Sequence, residues 1–125
     1  MMIGDMTAEP QPAEPGASWV LACPAAELPV GEVVQLAQDP PIAVFNVDGE
    51  FYATDDTCTH ETASLAEGYV DGDVVECAFH FAKFCIRTGA AMSYPATEPL
   101  ATYPVQVSEG QVLVDVAHPS VSRSS

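Results

Sequence analysis

The stretch CTHETASLAEGYVDGDVVECAFH, Cys58 to His80, holds two of the chain's four cysteines and two of its three histidines. They come as two pairs, Cys58-Thr59-His60 at one end and Cys77-Ala78-Phe79-His80 at the other. Between the pairs, TASLAEG (62–68) has room for one helical turn at most. GYVDGDVVEC (68–77) then sets Asp71-Gly72 between two short β-prone segments, which predicts a hairpin. The pairs therefore fall at the ends of hairpin strands, on two loops that one end of a β structure can bring together.

The flanking sequence has the same texture. PIAVFNV (41–47) meets EFYATD (50–55) across Asp48-Gly49, and VQVSEGQVLVDV (105–116) turns at Glu109-Gly110, so two more hairpins are expected. SWVLAC (18–23) and EVVQLA (32–37) are short and β-prone, and FCIRTG (84–89) ends at a glycine turn. SYPATEPLATYP (93–104) carries three prolines and reads as a constrained loop. No helical period persists over ten residues. Eight to ten short strands with turn signals between them predict an all-β antiparallel barrel or sandwich. Residues 1–16, rich in Pro, Glu and Ala, are expected to be a disordered tail; the domain is expected over 17–117, and 118–125 as a loose C-terminal tail.

At 125 residues the chain is long enough for one domain with a real core, although a domain of this size gains from a metal staple. Three Lys and Arg stand against 18 Asp and Glu, a formal charge of −15. That balance excludes nucleic acid as a partner; it favours a protein with a basic patch, and the competing reading is that many soluble bacterial proteins are simply acidic. The N-terminal segment has no basic start and no apolar run of signal-peptide length, and no run is long enough to span a membrane. A cytoplasmic protein without membrane contact is the expectation. In that compartment four cysteines suggest metal or redox chemistry more than a disulfide framework.

Thiolate and imidazole are ligands of zinc and of iron–sulfur clusters. Structural zinc sites usually open with Cys-x(2–4)-Cys, and neither half here is a Cys-x-x-Cys. One Cys and one His on each of two loops suits a [2Fe–2S] cluster in which one iron takes two thiolates and the other two imidazoles. Cys23 and Cys85 lie in apolar strand-like runs and read as inert core thiols; His118 reads as solvated.

With these residues, CTHETASLAEGYVDGDVVECAFHFAKFCIRTG (58–89) resembles the Rieske family, and more narrowly the small Rieske-type ferredoxins of bacterial aromatic-ring-hydroxylating dioxygenases. The likeness extends more loosely over Ser18 to Val116. It implies that Cys58 and Cys77 hold one iron of a single [2Fe–2S] cluster and His60 and His80 the other. It also implies an antiparallel β fold with a small two-loop cluster-binding subdomain, about 56–90, and a Pro-containing loop over the cluster, for which SYPATEP (93–99) is the candidate. Rieske proteins of cytochrome bc complexes resemble this chain less: their extra disulfide would need cysteines where Ala63 and Phe79 stand. An oxygenase subunit would need a further iron site, and only His118 is left to build one.

The resemblance thus implies a one-electron carrier rather than an enzyme, a monomer taking electrons from a flavin-dependent reductase and handing them to a terminal oxygenase. The alternative is a Rieske protein serving another oxidase or acting as a redox sensor. Asp55, Asp56, Glu61, Glu67, Lys83, Arg87 and Phe81 are candidates for a docking surface, whereas Phe84 is expected in the core. High-potential family members carry a serine and a tyrosine hydroxyl where Ala82 and Phe84 stand, so a low potential is expected.

Overall fold

The computed structural model describes residues 18–57, 63–77, 82–92 and 98–121. Eleven short strands run through them: β1 (Trp19–Pro24), β2 (Val33–Leu36), β3 (Ile42–Val47), β4 (Glu50–Asp55), β5 (Tyr69–Asp71), β6 (Val74–Glu76), β7 (Lys83–Cys85), β8 (Ala101–Tyr103), β9 (Val105–Ser108), β10 (Gln111–Asp115) and β11 (Ser120–Val121). Single 3₁₀ turns occupy Ala25–Glu27 and Leu65–Glu67. Valine, isoleucine and aromatic residues dominate the strands, as a pleated, half-buried surface requires.

The turn residues set the hairpins. Asp48 and Gly49 both have positive φ, 53° and 93°, as do Glu109 and Gly110, 53° and 78°. Two consecutive left-handed residues make the tight turn whose twist matches antiparallel strands. Asn46 Oδ1 accepts the Gly49 N–H at 2.8 Å and fastens the first of these turns. In the β5–β6 hairpin Asp71 pairs with Val74, so the turn is Gly72-Asp73, one residue later than the sequence suggested.

All strand pairs are antiparallel. They form a five-stranded sheet β11-β8-β4-β3-β2, a three-stranded sheet β9-β10-β1 and a small sheet β5-β6-β7. Two elements depart from the sequence reading. Ala101–Tyr103, inside the proline-rich stretch, forms β8, because Pro99 and Pro104 bracket the strand and remove no ladder donor from it. Ser120–Val121, within the expected tail, pairs with β8 as an edge strand. The expected disordered segment 1–16 lies outside the described residues.

Strand β3 organises the core. All six of its residues are buried, which is why IAVFNV reads as an unbroken run rather than an alternation. Its side chains still alternate. Ile42 and Val44 pack with Leu28, Ala53, Tyr103, Val112 and Val114 between the two larger sheets. Ala43, Phe45 and Val47 pack with Leu65, Val75, Cys77, Phe84 and Ile86 under the small sheet. One strand is thus the common wall of the sandwich and of the subdomain that carries the two Cys/His loops. Each large side chain buried here contributes about 1.5–3 kcal/mol. The one polar residue of the strand, Asn46, is satisfied by donating to Leu28 O at 2.7 Å as well as accepting from Gly49.

Candidate metal centre

Cys58, His60 and His80 lie outside the described residues, as do Glu61, Phe79 and Phe81 and most of the candidate covering loop. Cys77 and the necks of both ligand loops are described. The first loop leaves β4 through Asp56 and Thr57 and returns at Ala63 and Ser64, with Thr57 and Ser64 paired across the neck. Asp56 holds the neck shut. Its carbonyl accepts the Leu65 N–H at 2.6 Å, and its Oδ1 accepts the Ala66 N–H at 2.8 Å. Its N–H donates to Pro41 O at 3.0 Å, and its Oδ2 accepts from Gln35 Nε2 at 2.7 Å.

The second loop leaves β6 at Cys77 and returns at Ala82, whose carbonyl accepts the Cys77 N–H at 2.8 Å. Cys77 is fully buried and has a free thiol. Ala63, Leu65, Cys77 and Ala82 belong to one apolar cluster, so the necks of the two loops pack against each other. Gly68 makes that approach possible: a Cβ there would stand 2.3 Å from the carbonyl oxygen of Glu76, the residue before Cys77.

The side chains read as a docking surface divide into different roles. Asp56 is 1% exposed and cannot meet a partner. Asp55 accepts the Tyr103 hydroxyl at 2.6 Å, which ties the end of β4 to β8. Burial, with the neighbouring Asp55 bond adding to it, pushes the Tyr103 phenol above its ordinary range. Arg87 stacks over the Tyr52 ring, 5.2 Å from its centroid, and reaches Glu50 at 3.3 Å and Asp73 at 3.4 Å. It braces the β5–β6 turn against β4 instead of standing free. Glu67 and Lys83 are exposed, and Phe84 is fully buried, as expected of a core ring. Cys23 and Cys85 are half-buried rather than fully enclosed. Burial, then the Glu27 charge, raises the Cys23 thiol. His118 is exposed but sits 2.7 Å from Asp115 Oδ2 through Nδ1.

The sequence reading missed Asp56 as a buried strut and Arg87 as a surface one. A signal for Asp56 existed: a short carboxylate stands at the end of a strand, a position where Asp often accepts backbone N–H groups. Nothing local marked Arg87, whose partners are 14 to 37 residues away.

A family model described as the Rieske [2Fe-2S] domain matches residues 18–104, which include both Cys/His loops, the small sheet and strands β1 to β4 and β8. The chain belongs to the Rieske [2Fe-2S] family. This chain is 50% identical over 98 residues to the 3-phenylpropionate/cinnamic acid dioxygenase ferredoxin subunit of Shigella flexneri serotype 5b (strain 8401), covering 78% of this chain and 92% of that protein. Among solved structures it resembles the Sphingomonas yanoikuyae B1 ferredoxin, with a TM-score of 0.74 and 45% identity over 77% of this chain and 96% of that one. It also resembles a chain in the complex of reduced oxygenase and oxidized ferredoxin of carbazole 1,9a-dioxygenase, with a TM-score of 0.81 and 40% identity over 86% of this chain and all of that one.

The Rieske domain is a ferredoxin: it carries electrons on one [2Fe–2S] cluster and is not itself an oxygenase. The described residues fit such a group. Cys77, buried where the two loop necks converge and in no disulfide, would hold an iron of such a cluster through its thiolate. The cluster, when bound, takes up and releases a single electron. The protein's part would be to keep water from a ligand at Cys77 and to hold the necks of the two loops together. Leu65, Val75, Phe84 and Leu100, all fully buried, do the first, and the hydrogen bonds at the two necks do the second.

Proposed function

We propose that this protein passes single electrons from a flavin-dependent reductase to a terminal Rieske oxygenase in the breakdown of an aromatic compound, as a cytoplasmic monomer. Cys58 and Cys77 hold one iron of its cluster, and His60 and His80 hold the other. The observation that carries this reading is the match of the two-loop domain along nearly the whole length of a dioxygenase ferredoxin subunit, 92% of it at 50% identity. The chain adds the buried free thiol of Cys77 at the convergence of the loops. Histidine ligands on the outer iron give electrons a short way out, because an imidazole edge can reach the surface where a buried thiolate cannot.

The test is reconstitution. Purified protein is mixed with a flavin-dependent reductase, reduced nicotinamide and the oxygenase encoded with it. Substrate oxidation that requires all three proteins is the expected result. Fast reduction by the reductase without reoxidation by the oxygenase would assign the protein to another oxidase or to sensing. For the ligands, Cys58→Ala, His60→Ala, Cys77→Ala and His80→Ala should each fail to assemble the cluster, read as loss of the visible absorption and of about two irons per chain.

A further inference from the structure

Asp56 is buried, and among the described residues no cation is paired with it. A carboxylate is costly to bury unless its oxygens are hydrogen-bonded. Here they are, by donors from two separate elements. Oδ1 takes the Ala66 N–H on the return limb of the first ligand loop, and Oδ2 takes the Gln35 side-chain amide from β2. The backbone of the same residue adds a bond to Leu65, again on the return limb, and one to Pro41 at the entrance to β3. Leu65 in turn is fully buried in the apolar cluster that contains Cys77. Four bonds from one residue thus join the outgoing limb of the loop, its returning limb and the wall of the sandwich. Cys58 follows two residues later.

We propose that Asp56 is a positioning residue for the cluster: it clasps the first ligand loop at its neck and fixes that loop to β2 and β3. The inference rests on Cys58 and His60 being ligands, and it goes beyond that assignment by naming the group that holds them in place. A clasp of this kind does two things for an electron carrier. It resists separation of the two limbs at the neck, and with it the loss of iron, and it keeps the neck in one arrangement in both oxidation states.

The holoprotein is challenged with an iron chelator at 25 °C, and bleaching is followed in the wild type, Asp56→Ala, Asp56→Asn, Gln35→Met and Val114→Ala. Val114 is fully buried between the two larger sheets, so its variant lowers the melting temperature without touching the loop neck. Asp56→Ala loses both side-chain bonds and should bleach more than about ten times faster than Val114→Ala, since one lost buried hydrogen bond alone is worth about that factor. It should also shift the electron paramagnetic resonance signal of the reduced cluster and its potential, which a purely structural loss leaves alone. Asp56→Asn keeps an acceptor for Ala66, and the Gln35 amide can turn to accept from it, so its bleaching should stay near the wild-type rate. If Asp56→Ala does not assemble, Gln35→Met, which removes a single bond from an exposed residue, carries the test with a smaller change of the same sign. Bleaching of the Asp56 and Gln35 variants no faster than that of Val114→Ala, or with signal and potential unmoved, would overturn the proposal. Cys58→Ala is read separately: a cluster that assembles without Cys58 refutes the ligand set, whatever the Asp56 variants do.

Discussion

Ala82 and Phe84 flank the return of the second ligand loop, and both are fully buried. Neither side chain can donate a hydrogen bond. Reduction adds negative charge to the cluster, so each donor aimed at a sulfur raises the potential, and nearby carboxylates lower it. A potential near the low end of the Rieske range, roughly −150 mV, is expected. Ala82→Ser and Phe84→Tyr should each raise it, by tens of millivolts for a bond of about 1–2 kcal/mol. Melting temperature makes the result readable. A buried tyrosine hydroxyl without a partner costs about 1–3 kcal/mol, so a raised potential at unchanged stability means that the new hydroxyl has found the cluster. A wild-type value above about +100 mV would contradict a low-potential carrier. A second prediction belongs to Asp115. The bond to His118, helped by Ser18 and the Ala117 N–H, holds its carboxyl below the ordinary range, against the opposing pull of burial. A depressed folded pKa means stability that is present above the unfolded value, about 3.9, and lost as pH falls through the folded one. Asp115→Asn should therefore melt lower at neutral pH and lose less on acidification below about pH 4, as thermal melts across pH would show. The family was legible in the sequence from the spacing of Cys58, His60, Cys77 and His80, since metal chemistry restricts residue identity. The role of Asp56 was not, because an acid beside a ligand looks the same whether it faces solvent or the loop neck.

Glycines separate two kinds of local demand within the hairpins. Gly49 needs its positive φ but has open space where a side chain would go. Gly49→Ala should then cost only the left-handed strain, about 1–2 kcal/mol, and leave the cluster intact. Gly68 has an ordinary extended φ, yet a Cβ would collide with the backbone at Glu76. Gly68→Ala must push the return limb of the first loop away from the strand that leads to Cys77. It should cost about 1–3 kcal/mol and also speed iron loss. Urea titrations with parallel bleaching rates check both, and equal iron loss in the two variants would refute the distinction. The three hairpins were readable because Asp-Gly and Glu-Gly steps flanked by β-prone runs depend on local chemistry alone, although pairing of Asp71 with Val74 moved the turn of the β5–β6 hairpin one residue on, to Gly72-Asp73. Strands β8 and β11 were not. Each is two or three residues long and is stabilised by pairing with a distant partner, β4 for β8 and β8 for β11. Local composition, proline-rich in one case and tail-like in the other, pointed elsewhere.

At the scale of the molecule the charge dominates. The formal value of −15 is spread over a small domain in which Arg87 is already paired with Glu50 and Asp73. Exposed Glu67 and Asp71 lie on the subdomain that carries the two Cys/His loops, so part of the negative field lies on that subdomain. The fold places this field without using it for stability, since β3 and the two apolar clusters on its faces hold the structure together. An acidic surface of this kind steers a basic partner over distances set by the Debye length. Raising ionic strength from about 20 to about 300 mM shortens that length from about 20 to about 6 Å. The bimolecular rate of reduction by the reductase should fall steeply over this range, by about tenfold or more, while the potential and the absorption spectrum of the cluster stay constant. Stopped-flow mixing at several salt concentrations gives the rate. A fall in rate at constant potential places the effect in the encounter rather than in the driving force. A rate that does not change would mean that the acidic surface serves solubility and that apolar contacts at the cluster edge alone select the partner.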